Sequence, residues 1–298
     1  MTARGRTIAW MLAVVALTIA GLCIALLMID SETSVSLPVP NGYDDFVAAG
    51  ARLAVDPSGF KEKSLPELQA LVASNGPALD LLRAGLQKES RVPLQYTLMD
   101  TTNWANELPQ FKSLAQALCA EARSELLAGN PDRAAEICLE TVQFGVECSR
   151  GGVLIHRLVG VAIENIGFQA LDPVLQQLDA ENCRRVVKRL DDIWSSREPL
   201  SEVTANERAW SRMTAGIRDH FAALVMTRSL RPFNALGAPA IARCEQQEAS
   251  LDQQLLKMAA RAYEMENGHP PESAPDLVPD YLQAVPTNPT TGKPLELQ

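Results

Sequence analysis

Three charged side chains on apolar helical faces are the residues of this sequence with the most potential for chemistry. Arg157 and Glu164 lie seven residues apart in the apolar stretch 153–170, which places both on one face of a helix. Glu207 lies on the apolar side of a later helical pattern, whose stripe comprises Leu200, Val203, Trp210, Thr214 and Ile217. Buried charges need partners. We therefore expect Arg157, Glu164 and Glu207 to form either a structural ion-pair network or a polar pocket, in which a carboxylate could bind a ligand or transfer a proton.

The sequence contains no motif of a known catalytic or cofactor-binding class. The metal motif HExxH, the CxxC pair, the nucleophile motif GxSxG and the dinucleotide motif GxGxxG are absent. The Gly-Lys-Pro sequence at 292–294 lacks the upstream glycine of a phosphate-binding loop. The histidines are too far apart for a local ligand set, since they are His156, His220 and His269. We therefore assign no catalytic, cofactor-binding or metal-binding residue, although a site assembled from distant segments stays open.

Six cysteines are spaced widely along the chain. Cys23 lies in the apolar N-terminal run, and the other five are Cys119, Cys138, Cys148, Cys183 and Cys244. An odd number at wide spacing does not indicate a disulfide framework, so we expect small apolar core residues. One bridge stays open: Cys119 precedes Gly129 by ten residues and Cys138 follows it by nine, so a helical hairpin would bring them to a similar height.

The N-terminal run Thr7–Ile29 predicts a membrane anchor. Its 23 residues carry no charge, and at about 1.5 Å per residue they can span a hydrocarbon core about 30 Å thick. Arg4 and Arg6 precede the run and acidic residues follow it. The positive-inside rule therefore predicts a single pass through the inner (cytoplasmic) membrane, with the bulk of the chain extracytoplasmic. A cleaved signal peptide and a lipoprotein site at Cys23 are the alternatives.

Composition predicts an all-α protein that does not bind nucleic acid. The formal net charge is −9, whereas affinity for nucleic acid comes from neutralising phosphates. Aromatic residues make up 5% of the chain, and no long run alternates apolar and polar residues, which disfavours an all-β fold.

Helical periodicity and turn signals divide the chain into five parts. We expect a cytoplasmic tail (1–6), the anchor (7–29), a stalk (30–42), an extracytoplasmic helical domain (43–267) and a Pro-rich, turn-rich strap (268–298). The strap should lie back along the last helix. Within the domain, Gly-Asn-Pro at 129–131 predicts a helical hairpin. The predicted helices cover 43–56, 64–74, 77–88, 108–128, 131–149, 153–170, 181–194, 200–230, 240–267 and a short segment at 276–282.

The C-terminal 38 residues, Arg261 to Gln298, resemble the segment that closes the major pseudopilins of type II secretion. The matching positions are Asn267, Gly268, Pro271, Leu277, Pro279, Tyr281, Leu282, Pro286, Pro289, Gly292 and Pro294. Asn288 stands where that pattern usually has Asp. At the N-terminus, Gly5 is followed by Arg6 and Trp10, where pseudopilins have Phe and Glu.

The whole chain resembles a family of membrane-anchored, uncharacterised bacterial helical proteins. The resemblance rests on the central hairpin, the tail, the helix 155–164 and an opening motif formed by Asn41, Asp45, Phe46 and Ala49. It implies fold and location, and no activity.

These observations favour a non-enzymatic protein that binds or scaffolds a partner in the cell envelope. Helical hairpins offer grooves for peptides or helices, so we expect an envelope protein as partner, in addition to the membrane through residues 7–29. The alternatives are an extracytoplasmic enzyme that uses the Arg157, Glu164 and Glu207 cluster, and a pilin-like assembly component.

Overall fold

The computed structural model describes residues 36–95, 98–214, 233–288 and 292–297. Helices joined by turns and loops make up this part of the chain. The chain divides into two units, residues 1–37 and 38–298. The second unit contains α1 (Gly42–Ala51), α2 (Leu65–Leu86), α3 (Leu98–Leu127), α4 (Pro131–Glu147), α5 (Leu154–Leu175), α6 (Ala180–Ser195), α7 (Leu200–Thr214) and α8 (Phe233–Asn267). Since these residues form no strand beyond an isolated Thr287–Pro294 bridge, the all-α class is confirmed. The predicted anchor, Cys23 and His220 lie outside the described residues.

The first two helices each begin at a polar cap, close to the predicted starts at 43 and 64. Asn41 caps α1 by accepting a hydrogen bond from the Tyr43 backbone N–H at 3.2 Å. At the start of α2, Glu67 accepts hydrogen bonds from both the backbone N–H and the hydroxyl of Ser64. The expected break after residue 74 is wrong, because α2 continues through Pro77. Gly76 precedes this proline and has no Cβ, which relieves the clash that normally drives the preceding residue out of the helix.

The predicted hairpin is present as α3 and α4. Gly129, with φ +86°, ends the first helix and Pro131 begins the second. Asn130 occupies the cap position, but its side-chain amide donates to Glu125 at 2.9 Å. The loop expected before residue 108 is wrong, because α3 starts at Leu98 and includes Pro109. Burial of Trp104 offsets the backbone hydrogen bond that the proline removes.

The five described cysteines are core residues. Each is buried and is a free thiol, so the possible Cys119–Cys138 bridge is not formed. Burial raises the pKa of the Cys119 thiol to about 12, which keeps it protonated and unreactive.

Helix α5 is the central helix, as predicted, and it packs very closely against α4. A Cβ built on Gly160 would lie 2.6 Å from the Gly145 backbone oxygen, and one on Gly145 would lie 2.7 Å from the Gly160 oxygen. Within the described part of the chain, α5 is the helix long and apolar enough to cross a membrane, yet half of that stretch is buried inside the domain. Its packing therefore explains its apolar composition.

Helix α6 agrees with its predicted bounds within one residue, α7 begins and α8 ends where predicted, and the start of α8 differs. The predicted helix at 181–194 is α6, whereas α8 begins at Phe233 and includes Pro239, seven residues before the expected start. Helix α7 is described to Thr214, so the rest of the stretch predicted over 200–230 lies outside the described residues. Gly268, with φ +77°, follows the end of α8 as expected.

The residues after α8 contact both α8 and α6. Tyr281 donates a hydrogen bond to Glu266 at 2.7 Å, and the Gln283 backbone N–H donates to Asp191 at 2.8 Å. Further on, Gln253 of α8 donates to the Glu296 carbonyl. The helical segment in this region is a 3-10 helix at Ala274–Leu277, instead of the helix expected at 276–282.

We expect Gly160→Ala to destabilise the domain by about 1–3 kcal/mol, because the new methyl group must push α5 away from α4. Urea unfolding of the purified chain measures this loss. Asp172→Ala, an exposed change on the same helix, is the control and should stay within about 0.5 kcal/mol of wild type. A Gly160→Ala variant as stable as this control would contradict the close approach of the two helices.

Candidate functional site

The structure brings together two of the three predicted charged residues. Arg157 and Glu164 lie two turns apart on α5, with a guanidinium nitrogen 3.8 Å from a carboxylate oxygen. Their side chains are 3% and 0% exposed. The pair is therefore inside the domain, as the seven-residue spacing predicted.

Three residues that sequence reasoning missed complete a buried charge cluster with this pair. Glu248 of α8 accepts a hydrogen bond from Arg157 Nε at 2.7 Å, and a second guanidinium nitrogen of Arg157 lies 2.6 Å from the same carboxylate oxygen. Arg197, in the α6–α7 connection, lies 3.7 Å from Glu164 and 3.9 Å from Asp252 of α8. The spacing of four between Glu248 and Asp252 was a usable signal, since it puts both on one face of α8. Arg197 follows the end of a helix and gave no such signal.

Trp194 anchors the cluster at its α6 side. Its indole N–H donates to a carboxylate oxygen of Asp252, and the Arg197 guanidinium lies 3.3 Å from the centre of its ring. The aromatic face thus shields one side of Arg197 from water.

The electrostatics of the cluster centre on Glu164. Its two carboxylate oxygens are buried without a hydrogen-bond partner. Burial raises the pKa of Glu164, while the guanidinium groups of Arg157 and Arg197 oppose this. Burial also raises the pKa of Asp252 and lowers that of Arg197. With every group ionised, the cluster would hold three negative charges and two positive ones, so a proton on Glu164 would make it neutral.

The expectation that Glu207 joins this cluster is wrong. Its carboxylate accepts a hydrogen bond from the Leu154 backbone N–H at 2.8 Å, at the first residue of α5. A carboxylate here satisfies a free N–H group and complements the helix dipole. Glu207 lies at the N-terminus of α5, whereas Glu164 lies near its middle, because α7 packs against the start of α5.

His156 occupies an apolar site close to that end of α5. It is fully buried, its Nδ1 accepts from the Val153 N–H at 3.4 Å, and its ring lies 4.7 Å from that of Trp104. Burial lowers the pKa of His156 to about 3, so the ring is neutral at physiological pH.

A large cavity lies between α3, α5, α7 and the first part of α8, outside the charge cluster. We call it the apolar cavity; its volume is about 930 Å³, and its wall includes Trp104, Leu108, Leu154, Leu158, Val159 and Trp210. Lys112 and Glu207 are charged residues of its wall. The two tryptophan rings lie 5.2 Å apart.

Helical spacing creates the walls of the apolar cavity. Trp104, Leu108 and Lys112 follow one another every four residues along α3, so they share one face. Leu158 and Ala162 do the same on α5. Ile155, on the same side of α5, keeps 43% of its surface exposed. This face of α5 is thus apolar and accessible, a combination typical of binding surfaces.

The described residues offer no cluster of three or more metal-ligating side chains. No protein-family model, no curated protein and no solved structure matches the chain. The resemblances to pseudopilins and to anchored helical proteins therefore stay predictions, and the function must be argued from the two features just described.

We expect Arg157→Met to destabilise the domain by roughly 3–5 kcal/mol, because it leaves Glu248 and Glu164 buried without their shared cation. Thermal or urea unfolding measures the change. The control is Arg189→Met on the exposed face of α6, which should be nearly neutral. If the two variants unfold alike, the charge cluster contributes nothing to stability.

Proposed function

We propose that this chain is a membrane-anchored extracytoplasmic protein that binds an apolar ligand in the cavity between α3 and α5. The single observation that carries the proposal is the apolar cavity. Its volume of about 930 Å³ lies within the range of roughly 300–1,000 Å³ of small-molecule sites. Its walls are apolar and aromatic, with a few charged groups, which is the composition of such sites.

A binding role is favoured over catalysis by the contrast between the two sites. The charge cluster holds the perturbed carboxylates, but Glu164 is fully buried and is not part of the cavity wall. A substrate would have to displace packed side chains to reach it. We therefore propose that Arg157 and Glu164 are structural residues, and that ligand binding takes place on the opposite side of α5.

The anchor and its topology belong to the same proposal. The uncharged run 7–29, with Arg4 and Arg6 before it and Asp30 and Glu32 after it, supports a single span with the helical domain outside the cytoplasm. The domain would then be tethered beside the bilayer, where apolar molecules are concentrated.

The C-terminal strap is proposed to be structural. Leu277, Tyr281 and Leu282 are buried, and the hydrogen bonds of Tyr281 with Glu266 and of Gln253 with Glu296 support a segment that runs back along α8. Among the residues that the structure describes, no contact specifically supports an envelope partner protein or a pilin-like assembly role.

A reporter fused after Gln298 should be active outside the cytoplasm, because the arginines before the run 7–29 hold the N-terminus inside. Alkaline phosphatase, which folds in the periplasm, and green fluorescent protein, which fluoresces in the cytoplasm, give opposite readouts. A fluorescent, phosphatase-inactive pair of fusions would reverse the proposed topology.

Filling the apolar cavity with a larger side chain should strongly weaken ligand binding. We expect Ala162→Trp to reduce photolabelling by an uncharged alkyl diazirine about tenfold or more, since overpacking a site costs roughly 1–3 kcal/mol. Ala162 is an exposed residue of the wall, so the larger side chain can enter the cavity without disturbing the core. The assay uses the full chain in phosphatidylcholine vesicles, and mass spectrometry locates the labelled peptides.

Ala70→Trp on α2 is the matched control, because Ala70 is an exposed helical alanine that is not part of the apolar cavity's wall. It should keep the wild-type labelling of the α3 and α5 peptides. Equal labelling of both variants, or labelling that avoids α3 and α5, would refute the proposed site.

A further inference from the structure

A second cavity lies further along the same pair of helices and shares Lys112 with the first. We call it the basic cavity; it has a volume of about 370 Å³ and lies between the later halves of α3 and α5. Lys112 lines both cavities, the apolar one on its N-terminal side and the basic one on its C-terminal side. Because α4 runs antiparallel between them, α3 and α5 point in the same direction. One groove can therefore follow both helices.

The charge of the basic cavity has one sign. Its wall includes Lys61, Lys112 and Arg123, together with the amides of Gln116 and Gln169, and none of the described residues that line it is acidic. Like charges in the wall of one cavity repel one another, and a bound anion would reduce that repulsion. The two amides add donors that suit an anionic oxygen.

Arg123 is the residue of this cavity wall with unmet hydrogen-bonding capacity. Its Nε atom is buried and makes no hydrogen bond to any described residue. A buried donor without a partner costs free energy, and most buried polar groups in proteins have one. An anion in the basic cavity would supply an acceptor for this N–H.

We propose that the two cavities together bind a single-chain lipid with an anionic headgroup. This inference rests on the proposed function, since the acyl chain occupies the apolar cavity. The carboxylate or phosphate head lies in the basic cavity, where Arg123 and Lys61 contact it, and Lys112 stands where chain and head meet. Tryptophan and leucine side chains suit a hydrocarbon chain, and an arginine fork suits an oxyanion.

The test compares two photoreactive probes with the same acyl chain: a diazirine-bearing palmitate, whose head is anionic, and its methyl ester, whose head is neutral. The full chain is labelled in neutral phosphatidylcholine vesicles, and labelled peptides of α3 and α5 are quantified. We expect Arg123→Gln to weaken palmitate labelling about tenfold, equivalent to about 1.4 kcal/mol, and to leave the methyl ester unaffected. Arg123→Lys, which keeps the charge, should restore most of the labelling.

Two controls separate a binding role from a structural one. Arg189→Gln, an exposed change of the same type on α6, should leave both probes unaffected. Arg123→Gln should not lower the temperature of unfolding, because it removes a buried donor that has no hydrogen bond in the protein. A large loss of stability in Arg123→Gln would indicate a structural arginine and overturn the assignment.

The outcomes distinguish this inference from the proposed function. If Ala162→Trp blocks both probes while Arg123→Gln changes neither, the apolar site stands and the anionic headgroup is refuted. If neither probe labels α3 or α5, the proposed function itself fails. Stronger competition by unlabelled palmitate than by lysophosphatidic acid would identify a preference for a carboxylate head, and the reverse a preference for a phosphate head; either result supports an anionic single-chain lipid.

Discussion

The burial of Glu164 between two guanidinium groups is the interaction on which the arrangement of this domain depends. A carboxylate with no exposed surface and no hydrogen bond is tolerable only when cations lie close to it or when it is protonated. Arg157 comes from the same helix, but Arg197 comes from the α6–α7 connection and is held in turn by Asp252 of α8. One buried charge thus fixes three distant segments of the chain around α5. Gly145 of α4 completes the arrangement. Because it has no side chain, α4 can approach α5 closely and still leave space for the Glu164 side chain.

Helix α5 departs from the usual amphipathic pattern at Arg157 and Glu164, because these charged side chains find their partners inside the domain. A surface helix normally turns its apolar stripe to the core and its charges to water. Here the charged residues Arg157 and Glu164 face the interior, whereas Ile155 and Leu158 line a cavity. The rest of the core side consists of buried apolar residues such as Ile163, Phe168 and Leu171, together with glycines that pack closely. The apolar side chains left on the other face are therefore available to a ligand, and burying them there would contribute binding energy.

How far the sequence could predict this domain depended on how local the decisive interactions are. The helix start at Ser64, which Glu67 caps, and the turn from Gly129 to Pro131 depend on neighbours in sequence, and both positions were predicted. The same local reasoning failed at Pro77 and Pro109, where tertiary burial keeps a helix continuous through a proline. In the cluster, the Arg157–Glu164 pair was predictable from its spacing within one helix. The partners on α8, 84 or more residues away from Glu164, were not, and neither was a cavity, which depends on how separate helices pack.

The two features of α5 are physically connected. A cavity of this size between helices loses the contacts that its wall would otherwise make, so the helices tend to close over it. The ion pairs of Arg157 with Glu248 and of Arg197 with Glu164 tie the opposite side of α5 to α8 and to the α6–α7 connection, and so oppose a displacement of α5. In the proposed function, Glu164 therefore acts by positioning α5 beside the binding groove, although its place in the sequence resembles that of a catalytic carboxylate.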